Sequence, residues 1–256
     1  MPRLGWLKVP LIIVFVFLYL PIVTLVILSF NASKLPFVWG GFSFRWYADL
    51  ATNDAIKEGL LNTLLVAVGT TILATILGTL LAVGLSRFTR STLLEAYSLT
   101  PAIVPDLALA IGLLVLFSAV GIALGLYTVL LAHVVFCMAF VAAIVTARLG
   151  QTDPALEEAS RDLGAGPVTT FLRITVPTLA PAIIGGALLS FTLSLDEFVI
   201  AFFTDGPSTP TLPIVIYSMV RFGVTPVVNA LGALLLAVSI AIVVIAQRTS
   251  RITDAL

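Results

Sequence analysis

The sequence predicts an all-α, polytopic membrane protein with six transmembrane helices, and three observations lead there. Hydrophobic residues make up 60% of the 256, charged residues 10%, and the mean hydropathy is +1.17. A soluble domain is typically about 45–50% apolar and about 25% charged. The apolar residues gather into six runs of roughly 20, the length that crosses the hydrocarbon core of a bilayer. The thirteen Lys and Arg residues fall unevenly between those runs, as they do when one side of a membrane retains positive charge.

Arg3 and Lys8 precede the first run, Val9 to Phe30, which contains Pro10 and Pro21. The run is too long for a signal peptide, and no A-x-A-like cleavage pattern follows it, so it reads as a retained span. Residues 31–58 mix charge with Trp39, Trp46 and Tyr47. Such aromatics favour the membrane–water interface, so a short amphipathic helix on the outside is expected here. Span two runs from Leu60 to Leu85, with Gly69, Gly78 and Gly84 as small packing positions. Arg87 and Arg90 form a basic turn after it.

Span three is expected from about Leu99 to Val120, with Pro101 and Pro105 in its first half and Asp106 beside the second proline, near mid-span. Prolines leave carbonyls without helical partners, which only protein or water can satisfy inside a membrane. Gly121 to Gly125 is a very short turn, and span four follows from about Leu126 to Ala147. Span five is expected from Ala182 to Phe203, with Gly185, Gly186 and Ser190 as a small-residue face and Asp196 and Glu197 in its outer half. Thr204 to Pro226 is a Pro/Gly-rich external loop whose apolar stretch, Leu212 to Val220, reads as re-entrant or interfacial. Val227 to Ala246 is span six, closed by Arg248 and Arg251.

With both termini inside, the inner basic set is Arg3, Lys8, Arg87, Arg90, Arg148, Arg161, Arg173, Arg248 and Arg251. Lys34, Arg45, Lys57 and Arg221 remain outside. The zero net charge argues against nucleic acid as a partner. Cys137 is the single cysteine, so no internal disulfide forms, and His133 lies one helical turn before it. Two ligands do not make a metal site, so this pair is expected to be interior packing. There is no G-x-x-x-x-G-K-[ST] phosphate loop, no H-E-x-x-H and no Ser/His/Asp set. The chain is therefore not expected to be an enzyme or to bind a cofactor itself, and its energy must come from a partner or a gradient.

The most polar stretch between two apolar runs is Asp153 to Pro181, within an inner loop of 148–181. Asp153 can accept at the start of a helix that Pro154 opens. Gly164 and Gly166 end that helix, and Pro167 starts another. The stretch contains Glu158-Ala159-Ser160, then Arg161, Asp162 and Leu163, then Gly164, nine residues, and Ile174-Thr175-Val176-Pro177. This resembles the cytoplasmic loop of bacterial ABC importer permeases: E-A-A, three residues, Gly, nine residues, Ile, one residue, Leu-Pro. The spacing agrees throughout, and only Ser160 and Val176 depart from the pattern.

The resemblance implies a single permease domain over 1–256, of the type I ABC importer class. It implies that Glu158, Ala159, Ser160, Arg161, Asp162, Gly164, Ile174 and Pro177 belong to a coupling helix docking on an ATPase subunit. It further implies a second permease, two ATPase subunits that carry ATP and Mg²⁺, and an external binding protein, all at a bacterial inner membrane with both termini cytoplasmic. The runs from Ser194 (S-L-D-E-F-V-I-A-F-F), from Thr211 (T-L-P-I-V-I-Y-S-M-V-R-F-G-V-T-P) and from Pro105 (P-D-L-A-L-A) are similar to the spermidine/putrescine branch. That branch implies a heteromeric permease pair and a small polycation as substrate. Related branches import iron, thiamine, opines or sugar acids, and an ion-driven carrier or a structural scaffold are the rival classes. Asp106, Asp196 and Glu197 are the candidate path residues. A mid-bilayer carboxylate costs roughly 2.5–3.5 kcal/mol on insertion scales, and a passing polycation would offset that charge. Asp196 is expected to face inward. Glu197 points about 100° away from it on a helix, toward the path or a partner subunit.

Overall fold

The computed structural model describes residues 8–35, 38–89, 91–223 and 225–253, without the side chains of Glu95 and 242–253. Arg3 and Arg90 of the inner basic set lie outside the described residues, as do the side chains of Arg248 and Arg251.

Helices dominate because nearly every run is apolar on all faces, and inside a bilayer each backbone polar group must be satisfied within its own segment. The chain begins with α1 (Lys8–Ser29), α2 (Arg45–Thr52) and α3 (Asp54–Gly84). α3 closes in a π-helical turn at Leu85–Thr89. Then come α4 (Thr92–Ser98), α5 (Thr100–Ile103), α6 (Asp106–Val120) and α7 (Leu126–Leu149). The polar stretch supplies α8 (Ala155–Asp162) and α9 (Pro167–Thr170), and a second π-helical turn, Phe171–Thr175, leads into α10 (Val176–Asp196). The chain finishes with α11 (Val199–Thr204), α12 (Leu212–Arg221) and α13 (Pro226–Thr253). Among the described residues, four helical stretches are long and apolar enough to cross a membrane: Lys8–Ser29, Asp54–Thr89, Leu126–Leu149 and Pro167–Asp196. Asp106–Val120 and Pro226–Ala241 are shorter apolar helices.

Two of the expected spans are broken. Span three is interrupted at Val104, whose ψ of 138° is extended. The ring of Pro105 disfavours the α region for the residue before it. Asp106 therefore opens α6 rather than sitting mid-span. Span five stops at Asp196, because Glu197 is extended with ψ 111° and the chain resumes as α11 only at Val199.

The structure packs as two units. The first is built from the two ends of the chain, up to Lys57 and from Val215 onward. In it α1 and α2 pack on α13, with Gly232 seated against Leu25. The other side of α1 is open along its length, and Phe17 is 76% exposed. Trp46 is buried on α2, where its indole N–H donates to the Asn31 carbonyl at 2.6 Å. Asn31 in turn accepts from the backbone N–H groups of Ser33 and Gly40.

The second unit, Glu58–Ile214, is centred on α7. Helices are brought close by small residues, since lipid provides no hydrophobic drive between spans. A Cβ on Gly78 would lie 2.8 Å from the Met138 carbonyl and 2.8 Å from Val141 Cβ. Gly186 of α10 meets the same Val141 from its own side, and Gly69 abuts Leu130. Gly84 and Gly185 have nothing within 4 Å and are not packing positions among the described residues. His133 and Cys137 form the expected interior pair. Both are buried, and both face α10: His133 Nδ1 lies 2.9 Å from Ser194 Oγ, and Cys137 Sγ lies 3.7 Å from the Ser190 carbonyl.

Candidate functional site

The polar stretch folds as its punctuation suggests. The Asp153 carboxylate accepts from the Ala155 N–H at 2.9 Å and so satisfies one of the free donors at the start of α8. At the other end Gly164 takes φ +86°, with its N–H on the Arg161 carbonyl and the Ala165 N–H on the Ser160 carbonyl. That pair of bonds is a Schellman C-cap, which calls for a residue that tolerates positive φ. Gly166 then precedes Pro167, the first residue of α9.

Ser160, one of the two departures from the permease loop pattern, places its hydroxyl 3.1 Å from Thr170 Oγ1 and so ties α8 to α9. Glu158, Ala159, Arg161 and Asp162 are exposed along α8, and Pro177 is exposed at the start of α10. Ile174 is half-buried in the π-helical turn between α9 and α10. The expected second short helix is thus the first part of one longer helical stretch, Pro167–Asp196. With Leu163 at 89% exposure and Val168 at 71%, the segment presents apolar and charged side chains together.

Sequence reasoning passed over Glu157. It points inward from α8, with its side chain 14% exposed. Its Oε1 accepts from Arg87 Nη2 at 3.3 Å and from the Thr175 hydroxyl at 3.1 Å, and its Oε2 lies 3.9 Å from Arg161 Nη2. Arg87 is 70 residues away in the chain, a separation at which no local pattern signals a pair. The only available hint was that Glu157 and Glu158, as neighbours on a helix, must point about 100° apart.

Glu197 follows Asp196 in the chain at one break, and Asp106 opens α6, which packs on the α11 that begins just beyond Glu197. Asp106 and Asp196 are exposed, whereas Glu197 is half-buried. Glu197 Oε1 accepts the Ile200 N–H at 3.0 Å and so caps α11. The ion pairs among the described residues are Lys57–Asp54, Arg87–Glu157 and Arg161–Glu157, none of which involves these three acids. No group of three or more potential metal ligands occurs among the described residues.

Residues 74–252 match the family described as binding-protein-dependent transport system inner membrane component. The chain belongs to this family of membrane permeases. The match takes in the polar stretch Asp153–Pro181 and all three acids. The putrescine transport system permease protein PotI of Escherichia coli K12 is 45% identical over 243 residues, covering 91% of this chain and 86% of that protein. The spermidine/putrescine transport system permease protein PotC of Haemophilus influenzae is 42% identical over 242 residues, covering 93% and 94%. Among solved structures, a bacterial ABC transporter involved in the import of the acidic polysaccharide alginate aligns with a TM-score of 0.72 at 15% identity, over 97% of this chain and 95% of that one. The MetNI methionine ABC transporter in an inward-facing conformation aligns with a TM-score of 0.60 at 19% identity, over 77% and 93%. These likenesses show a shared fold, that of ABC importer membrane subunits. The family is one of inner-membrane transport components, and the apolar helices agree with that setting.

Proposed function

We propose that this permease forms, with a second and different permease, the path by which a small polycation such as putrescine or spermidine enters a bacterial cell. Both units together make one permease domain of six membrane crossings, with both termini in the cytoplasm. An external binding protein delivers the substrate. Two ATPase subunits hold ATP and Mg²⁺ and receive the loop 148–181, with Glu158 to Gly164, Ile174 and Pro177 in it. ATP-driven closure of that pair moves the coupling segments and turns the path from inward- to outward-facing. The chain itself performs no covalent chemistry.

The observation that carries the substrate class is that Asp106, Asp196 and Glu197 all lie at helix breaks and make no ion pair among the described residues. Carboxylates near a membrane interior normally face protein or a water-filled path. Ammonium groups offer three donors each, so a diamine or triamine can satisfy such acids in transit. Relatives at 42–45% identity whose names specify putrescine or spermidine support the same reading.

The test is uptake of labelled putrescine and spermidine, with membrane abundance and retention of the ATPase measured alongside. Hydrogen bonds to charged groups contribute about 1.5–3 kcal/mol, so Asp106→Asn and Asp196→Asn should each cut uptake roughly tenfold or more while the assembly persists. Unchanged uptake in both variants removes the acid-lined path. Uptake that proceeds without any ATPase would instead identify an ion-driven carrier.

A further inference from the structure

We infer that Glu157, rather than the motif residue Glu158, is the positioning residue through which the coupling segment acts on two membrane helices. The inference rests on the reading that this segment docks on an ATPase.

One carboxylate joins three separate stretches of chain. Glu157 sits on α8, Arg87 ends α3 and Thr175 leads into α10, all within 3.3 Å of Glu157 Oε1. The two partners share an unusual local geometry. Arg87 lies in the π-helical turn Leu85–Thr89, and Thr175 closes the π-helical turn Phe171–Thr175. A π-turn contains one more residue than an α-turn and is frequently found at functional sites. The carboxylate therefore holds both helices at their π-helical turns.

An open groove of about 460 Å³ lies against these turns, lined by Arg87, Glu157 and Thr175 together with Gly84, Phe171 and Leu172. Glu158, by contrast, is exposed and makes no ion pair among the described residues. The two neighbouring glutamates divide the work. Glu158 faces outward, where a docked subunit would lie, and Glu157 faces inward, holding α3 and α10. A displacement of α8 then pulls both helices through one charged contact, and the wide turns absorb the change in angle.

The experiment uses the full transporter in proteoliposomes, with putrescine as the probe, and measures ATPase retention, stimulation by loaded binding protein, and putrescine moved per ATP hydrolysed. Glu157→Ala should lower putrescine per ATP about tenfold, within the usual range of coupling between sites, and abolish the stimulation. The exchanged pair Arg87→Glu with Glu157→Arg should recover a large part of both, which a merely space-filling role would not produce. Glu157→Gln, which keeps the volume and the acceptor for Thr175, separates charge from packing and should be intermediate. Wild-type putrescine per ATP in Glu157→Ala overturns the inference while leaving ATPase docking intact. Loss of the ATPase in all variants, with no recovery in the exchanged pair, also overturns it by reducing Glu157 to a folding role. If the wild-type chain itself retains no ATPase, the docking reading fails and this inference fails with it.

Discussion

Gly78 and Glu197 show how single positions are constrained by what lies opposite them. At Gly78 the constraint is space. A methyl group there would meet a backbone carbonyl and the branch point of Val141, neither of which can rotate away. Overpacking of a close contact costs roughly 1–3 kcal/mol, so Gly78→Ala should destabilise the protein by about that amount in denaturation of the detergent-solubilised chain. Gly84→Ala, with nothing within 4 Å, is the control and should be neutral or slightly stabilising, because Ala favours helix over Gly. Equal stability of the two variants would contradict the packing of α3 on α7. At Glu197 the constraint is a hydrogen bond. Its carboxylate caps α11, and loss of a cap typically costs about 1 kcal/mol. Glu197→Gln retains an acceptor oxygen and should keep wild-type stability while lowering uptake less than Asp196→Asn does, whereas Glu197→Ala should be destabilised. The same loss in both variants would show that charge, not capping, is what this position supplies.

For the polar stretch around α8 the constraint belongs to the element. α8 ends where it does because Gly164 adopts φ +86° and its N–H and that of Ala165 turn back to close the last turn. No atom within 4 Å would obstruct a side chain there, so the effect of substitution is backbone strain rather than collision. Asp tolerates the left-handed region better than most residues. Gly164→Val is therefore the sharper probe, since a β-branched residue at positive φ is a genuine outlier. Gly164→Val should lose most transport with membrane abundance preserved, and Gly164→Asp should be impaired less. Transport at the wild-type rate in Gly164→Val would exclude this turn from coupling. The order of the two variants also matters: a larger loss in the Asp variant would point to charge at the docking face rather than strain.

At the scale of the whole molecule, orientation can be read by thiol labelling. Thr169 and Ser208 are both exposed, so neither position is hidden from a water-soluble reagent by the chain itself. Cys137 is buried, and Cys137→Ala removes the only other thiol. In that background, Ser208→Cys should react with an impermeant thiol reagent added to intact spheroplasts. Thr169→Cys should react only once the membrane is opened. The opposite pattern would place the coupling segment on the external side and remove the ATPase contact.

The sequence by itself determined the features that depend on composition and local chemistry. Runs of about 20 apolar residues are long enough to cross a bilayer, and in hydrocarbon a helix satisfies each backbone polar group within its own segment. Asp153, Gly164 and Pro167 carry their own conformational preferences, so the ends of α8 and the start of α9 were legible residue by residue. The spacing from Glu158 to Pro177 was legible for the same reason. Features that depend on what lies opposite a residue were decided only by the tertiary structure. Gly69, Gly78, Gly84, Gly185 and Gly186 look alike in the chain, yet only Gly69, Gly78 and Gly186 meet a neighbouring helix closely. That Trp46 is buried, with its indole N–H on the Asn31 carbonyl, was likewise not legible from the chain. The break at Val104 was foreshadowed by Pro105, whereas the break at Glu197 has no proline beside it and follows from the cap its side chain makes to Ile200. Glu157 and Arg87 became partners because the packing of the second unit brought two distant helix ends together, and a carboxylate removed from water must find its countercharge there.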